Sequence, residues 1–396
     1  MTMITTTTSA AVKASYDIVP LPASISMQKG EPFMLSSATR IVYTGSDEAM
    51  KRNAKFLADY LTQTTGIKLS TNAASGKAQK NAITLCTDSK MGEEAYRISV
   101  DKKGIVITGG SAKGMFYGIQ TLRKSVPVGK TDNIELSAVR IADQPRFGYR
   151  GMMLDCSRHF FTVDFIKKYL DLMAMHNMNV FHWHLTDDQG WRIEIKKYPR
   201  LTSVGSKRSG TIVGFNSMVD DQREYGGFYT HDQAREIVEY ARQRYITIIP
   251  EIDMPGHMKA ALAAYPELGC TGGPYEVGHR WGIYLDVLCL GNEKIYAFCE
   301  DVLKELSDIF PSEFVHIGGD ETPTERWAEC PKCQAVAKDS KDAAGLLHQP
   351  HGAIPQSERK THNRLGRDSG RRHKPERHHH ELARNRQRRE GGRKGT

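Results

Sequence analysis

Two rhythms of apolar and polar residues divide the chain. Before about residue 146, short strand patterns and helical patterns mix without fixed order. Ile41-Val42-Tyr43 and Ile83-Thr84-Leu85 are strand-like runs, and between them Ala54, Leu57, Ala58 and Leu61 recur at helical spacing. Tyr96 to Val100 alternates apolar and polar, Asp101 to Gly104 turns, and Ile105 to Thr108 follows, which predicts a hairpin. Met115, Ile119 and Leu122 then mark an amphipathic helix. Residues 16–145 are therefore expected to form a mixed α+β domain, and no catalytic constellation stands out in it.

From Phe147 the rhythm becomes strand, then helix, repeatedly. Met152-Met153-Leu154 reads as a buried strand, and Phe165, Ile166, Tyr169, Leu170 and Met173 as a helical stripe behind the capping candidate Thr162. Asn179 to Trp183 is the next strand. A helix opens at Thr230 with Gln233 placed for a capping box, because a threonine side chain and a glutamine three residues on can satisfy each other's backbone N–H groups. Ile246 to Ile249 is the third strand, Ile295, Phe298, Val302 and Leu306 share a helix face, and Phe314 to Ile317 is the fourth strand. Four such units in sequence argue for a parallel sheet, open or closed into a barrel. The connection from Thr186 to Thr230 is far longer than a usual strand-to-helix loop, which marks it as functional or mobile.

Composition alters this picture at the two ends. Residues 349–396 hold 14 Lys and Arg against 5 Asp and Glu, so the whole net charge of +9 sits there, and residues 1–348 are balanced. That segment has no Phe, Tyr, Trp, Val, Met or Cys and contains the run His378-His379-His380. It cannot bury enough apolar surface to offset its ordering entropy, so it is expected to be a disordered basic tail. At the other end, Met1-Thr2-Met3-Ile4-Thr5 resembles the start of the β-galactosidase fragment used in cloning vectors, and residues 1–15 are read as a vector-derived leader. That start has no secretory signal, and the natural compartment stays undefined. No stretch nears the roughly 18 uninterrupted apolar residues of a membrane helix. Seven scattered cysteines are no disulfide scaffold. Cys330-Pro-Lys-Cys333 could be half of a zinc site, but no second pair follows in the sequence, so a local disulfide or two plain thiols is the expectation.

Candidate chemistry clusters just after each strand of the second half. Asp155 and Arg158 follow the first, Asp187 and Asp188 the second, Glu251, Asp253 and His257 the third, Asp320 and Glu321 the fourth. Sites of α/β folds lie at carboxyl ends of strands, where the loops converge on one rim. In His316-Ile317-Gly318-Gly319-Asp320-Glu321-Thr322, two glycines let the backbone turn out of a buried strand, and adjacent carboxylates face the rim. Like charges this close resist joint ionisation, so one carboxyl can serve as an acid near neutral pH. Trp183 and Trp191 read as core, and Cys156 as a small buried filler.

Four stretches carry a family resemblance: Leu154 to Phe160, His182-Trp183-His184-Leu185-Thr186-Asp187-Asp188-Gln189-Gly190-Trp191-Arg192, Pro250 to His257, and the Gly-Gly-Asp-Glu segment. In order and content the chain resembles glycoside hydrolase family 20, the β-N-acetylhexosaminidases, over about residues 16–347. The resemblance implies an α/β chain, with an N-terminal α+β domain followed by a (β/α)8 TIM-type barrel. It implies substrate-assisted hydrolysis of terminal N-acetylglucosamine or N-acetylgalactosamine from oligosaccharides or glycans, without metal or cofactor. Glu321 would be general acid and then base, Asp320 would orient the acetamido group, Arg158 would hold sugar hydroxyls, and Asp187 and His257 would support Glu321. A lacto-N-biosidase-like relative and a nucleic-acid-binding protein acting through the basic tail are the rival readings. The neutral body and a tail without aromatic residues argue against specific nucleic-acid recognition.

The chain departs from that family late. A barrel typically needs about 250 residues, whereas residues 146–348 show four strand units and read as a first half. The later units of the family carry tryptophans and a tyrosine that wall the sugar pocket, yet the last tryptophan here is Trp327 and the last tyrosine Tyr296. The switch in composition suggests a reading frame lost between about Ala337 and Pro350, a native basic tail being the alternative. An incomplete barrel predicts poor solubility and weak or absent turnover.

Overall fold

The computed structural model describes residues 11–45, 47–74, 79–215 and 217–339. The expectations for residues 1–10 and for the basic tail lie outside these. Among the described residues no helix is long and apolar enough to cross a membrane.

The first domain is a seven-stranded mixed sheet in the spatial order Ser24–Met27, Val139–Asp143, Tyr96–Asp101, Gly104–Gly109, Ala82–Thr87, Arg40–Thr44, Ser70–Ala74. The hairpin read from alternation is present, with Tyr96 opposite Gly109 and Asp101 opposite Gly104. Ile98, Val100, Ile105 and Ile107 are buried beneath the helix Ala112–Ser125, whose Ser111 caps the first turn. Ala54, Leu57, Ala58 and Leu61 form the buried face of the helix Glu48–Thr65. Val12–Lys13, at the end of the segment read as a leader, pair in parallel with Ile134–Glu135.

Arg150 joins this domain to the next. Its guanidinium reaches Glu94 at 2.9 Å, Tyr117 at 2.9 Å and the Asn177 carbonyl at 2.7 Å. Burial would raise the Glu94 carboxyl, but hydrogen bonds from Arg150 and Lys113 outweigh it and hold it below its ordinary range.

The second domain is barrel-like. Gly151–Asp155, Val180–His184 and Thr247–Glu251 form parallel neighbours in that order. In place of the fourth strand expected at residues 314–317, an isolated parallel bridge joins His316 to Glu251, with His316 N–H to Pro250 O, Ile252 N–H to His316 O and Met254 N–H to Ile317 O, while Phe314 is exposed. Thr162 and the Thr230–Gln233 capping box open the two helices as expected. Ile295, Phe298, Val302 and Leu306 are the buried face of the helix Lys294–Ile309.

Three further readings are corrected. The Met152-Met153-Leu154 strand is not a buried run, since Met152 and Met153 are exposed; among the described residues it is paired along one edge only. Of the two readings of the long connection after Thr186, functional or mobile, the second is set aside, because the segment is ordered. It carries the ladders Thr186–Asp187 with Gly190–Trp191 and Lys207–Arg208 with Tyr225–Gly226. Fully buried Arg192 ties them to the first strand's loop by donating to the carbonyls of Ser157, Ser206, Gly227 and Gln189. Finally, Cys330 and Cys333 are plain thiols, the second of the two alternatives, but the expectation that no second pair exists is overturned. The fold brings Cys270 and Cys289 beside them, all four as free thiols. The second pair was invisible because its members are separated in sequence and meet only through packing.

Trp183 and Trp191 are core, as read. Trp183 donates its indole N–H to Cys156, which is wholly buried.

Candidate active site

Each strand delivers its polar residues to the same rim by a local device. After the first strand, Asp155 accepts from the N–H groups of Ser157 and Arg158, turning the chain so that the Arg158 guanidinium folds back to Asp155 at 3.1 Å. After the second, the tight turn between Asp187 and Gly190 buries Asp187 and Asp188. After the third, Asp253 and His257 are buried, with His257 at φ 52°.

After the fourth, Gly318 and Gly319 take φ of 64° and 95°, and Glu321 takes 42°. Only glycine fits at Gly318, because a Cβ there would stand 1.7 Å from Asp253 Oδ1. The Gly319 N–H donates to that same carboxylate at 3.0 Å. The reading of the two glycines as the turn that presents Asp320 and Glu321 is thus met, with Asp253 as its clamp.

The rim residues form one charge chain. His257 Nε2 lies 3.5 Å from Glu321 Oε2, and its Nδ1 lies 3.1 Å from both Asp187 and Asp188. Asp187 also receives Arg158 at 2.7 Å and His184 at 2.9 Å. His184 passes on to Glu251 at 2.5 Å, which is shared with His182 at 2.6 Å and His316 at 2.8 Å. Ligating atoms of His257, Asp320 and Glu321 all fall within 4.8 Å of one another.

Burial and pairing set the charges. Burial disfavours charge on His257, but hydrogen bonds to Asp187 and Asp188 prevail and push it up to about 11. His184 is likewise opposed by burial and pushed up to about 10 by Asp187 and Glu251. Burial would raise Asp187, yet His184, His257 and Arg158 hold it at about 2. Burial raises Asp188 despite its bond from His257. Asp253 is raised by burial to about 7, the Gly319 N–H opposing and the charge of Asp320 adding. His257 is therefore an imidazolium held between a buried carboxylate pair and an outward-facing one.

The five residues singled out from the sequence, Glu321, Asp320, Arg158, Asp187 and His257, come together on this rim. Asp320 and Glu321 are exposed, Glu321 with 56% of its side chain, while Asp187 and His257 are buried. Arg158 engages Asp155, Asp187 and Gln189, and its side chain keeps 31% exposure. The sequence reading left His182, His184, Glu251 and His316 without roles. One signal was available: His182 and His184 are two apart on a strand, so they share a face.

Comparison with known proteins places both halves of the chain. Residues 15–144 match the pattern described as "Glycosyl hydrolase family 20, domain 2", and residues 147–360 match "Glycosyl hydrolase family 20, catalytic domain". A β-hexosaminidase of Porphyromonas gingivalis is 44% identical over 332 residues, covering 82% of this chain and 41% of the relative. One from Vibrio furnissii is 42% identical over 277 residues, covering 67% and 44%. Among solved structures, a β-N-acetylhexosaminidase of Streptomyces coelicolor superposes with a TM-score of 0.70 at 34% identity, covering 84% of this chain and 65% of that one. An exo-β-N-acetylglucosaminidase of Vibrio harveyi in complex with N-acetylglucosamine superposes at 0.71 and 33% identity, covering 85% and 52%. The chain spans less than half the length of these two curated relatives.

Proposed function

The chain belongs to glycosyl hydrolase family 20, and from that membership we propose that its rim is the catalytic centre of a β-N-acetylhexosaminidase. The observation that carries the reading is the run Glu321–His257–Asp187, with Asp320 adjacent. A reaction of this kind needs one proton donor at the glycosidic oxygen and one negative group beside the substrate's amide. Glu321, exposed on the rim beside Asp320 and 3.5 Å from His257, is placed for the first task, protonating the leaving oxygen and then taking a proton from water.

Asp320 suits the second. It would hold the 2-acetamido N–H while the amide oxygen attacks the anomeric carbon, and it would stabilise the positive charge that develops on the ring formed. No carboxylate of the chain becomes glycosylated, in keeping with the substrate-assisted route. Arg158 has five N–H donors, and those not engaged by Asp155, Asp187 and Gln189 would meet hydroxyls of the terminal sugar. Asp187 acts through His257, fixing the ring and its charge.

Turnover by the 396-residue chain is expected to be weak. Residues 328–396 contain no Phe, Tyr or Trp to wall a sugar. Hydrolysis of aryl N-acetyl-β-glucosaminide against aryl β-glucoside tests the reaction. The acetamido sugar should be cleaved with strong preference, and a thiazoline mimic of the cyclised intermediate should inhibit. Equal cleavage of both sugars would overturn the mechanism, and robust turnover by the pure chain would overturn the expectation of weakness.

A further inference from the structure

Away from the rim, four cysteines from three separate segments point at one another. Cys270 follows the short turn Pro266–Leu268, Cys289 lies in an extended stretch held by the Gly269–Leu288 bridge, and Cys330 and Cys333 flank the start of the helix Pro331–Asp339. Their sulfurs all lie within 4.8 Å of one another. The Cys289 sulfur is 3.6 Å from Cys333 and 3.7 Å from Cys330, and Cys270 is 3.8 Å from Cys333. A disulfide needs about 2.05 Å between sulfurs, well short of these separations. Four thiolates placed tetrahedrally about 2.3 Å from a central ion stand about 3.8 Å apart, close to the three separations of 3.6–3.8 Å above.

We propose that Cys270, Cys289, Cys330 and Cys333 form a structural zinc site. A four-thiolate tetrahedron suits this thiophilic divalent ion and leaves no open position for catalysis. The surroundings support it. Cys289, Cys330 and Cys333 are buried in a small cluster of their own with Val287 and Trp327, apart from the main core. A Cβ at Gly291 would meet the Lys332 carbonyl carbon at 2.2 Å, so the chain is closed tightly around the cluster. Binding would release the thiol protons to solvent and form four Zn–S bonds, with no change of oxidation state.

The site would do structural work for the rim. The helix Glu325–Glu329 follows Asp320-Glu321 directly, and it is pinned to residues 286–288 by the Trp327 indole N–H on Leu288 O at 2.8 Å and by Arg326 on Asp286 at 2.9 Å. Zinc would lock the far end of this segment to residues 270 and 289.

The test is elemental analysis of the full 396-residue chain, purified under reducing conditions without chelator and, in a parallel sample, exposed to excess Zn2+ and desalted. About one zinc per chain is expected, released by a mercurial that titrates the thiols. Cys270→Ser should lower zinc retention at least tenfold, while Cys86→Ser, in the first domain, should keep it. Because a cysteine variant can fail to fold, Co2+ loading of the unaltered chain gives a second reading, with thiolate-to-cobalt charge-transfer absorption expected. Zinc-free protein in both samples, full retention by Cys270→Ser, or disulfides mapped among the four cysteines would each overturn the proposal.

Discussion

His257 stands 3.5 Å from Glu321, and the imidazole is buried while the carboxylate is largely open. One end of the pair is fixed by packing and charge, and the other faces the space where a substrate would lie. Glu321 can therefore change without disturbing the core, whereas the groups behind His257 cannot.

Glu321→Gln keeps the shape and removes the transferable proton. Turnover of an aryl N-acetyl-β-glucosaminide should fall about 100- to 10,000-fold. The thermal midpoint should stay near that of the parent, since the side chain is 56% exposed. A variant retaining parental turnover would remove Glu321 from the acid role.

Asp187→Asn should chiefly damage stability. The carboxylate is fully buried against Arg158, His184 and His257, and neutralising it removes the one anion that all three share, leaving Arg158 and His184 with a single carboxylate partner each. A loss of about 3–5 kcal/mol in urea denaturation is expected. A change within experimental scatter would show that the network is not balanced as described.

The same network fixes a pH window. His257 and His184 are raised above the ordinary 6.5, to about 11 and about 10, so their contribution is complete below 6.5 and lost as pH rises through those values. Asp187 is lowered from 3.8 to about 2, so its contribution is present above 3.8 and lost as pH falls toward 2. Urea midpoints measured across this range should decline on both flanks. A midpoint unchanged from about pH 6.5 to 11 would contradict the imidazolium assignment.

Asp253 runs the other way. Its carboxyl is raised from 3.8 to about 7, so the folded chain holds a proton that the unfolded chain releases, and stability drops between those values. Asp253→Asn keeps an oxygen for the Gly319 N–H and abolishes the penalty. The variant should melt higher than the parent at pH 8 and converge with it below pH 3.8. An equal gap at both extremes would assign the effect to packing instead.

Gly318→Ala tests the turn. At φ 64° an alanine is strained, and its Cβ would overlap Asp253 Oδ1. Destabilisation of about 1–3 kcal/mol is expected, with turnover falling further than the stability loss explains, because Asp320 and Glu321 hang from this turn. Unchanged thermal denaturation would refute the clamp.

Much of this was legible in the chain because it is local. The hairpin at residues 96–109, the Thr230–Gln233 capping box and the buried stripe of the helix Lys294–Ile309 each rest on spacing of a few residues. The strand Ser70–Ala74 was not legible, since Ser-Thr-Asn-Ala-Ala at a sheet edge shows no apolar alternation. The polar residues of the rim could be placed because each follows a strand, and parallel strands put such positions at one end, whereas the choice of five among them came from the family resemblance.

The sequence by itself determined the two domains' class, the family resemblance and the identity of the rim acids, because periodicity and motif order are one-dimensional properties. Only the tertiary structure decided the partners. It set Asp253 as the clamp on Gly318, linked His184 through Glu251 to His182 and His316, and gathered Cys270 and Cys289 beside Cys330 and Cys333. Proton affinities and metal geometry depend on distances of a few ångströms between residues tens of positions apart, and those distances exist only once the strands have packed.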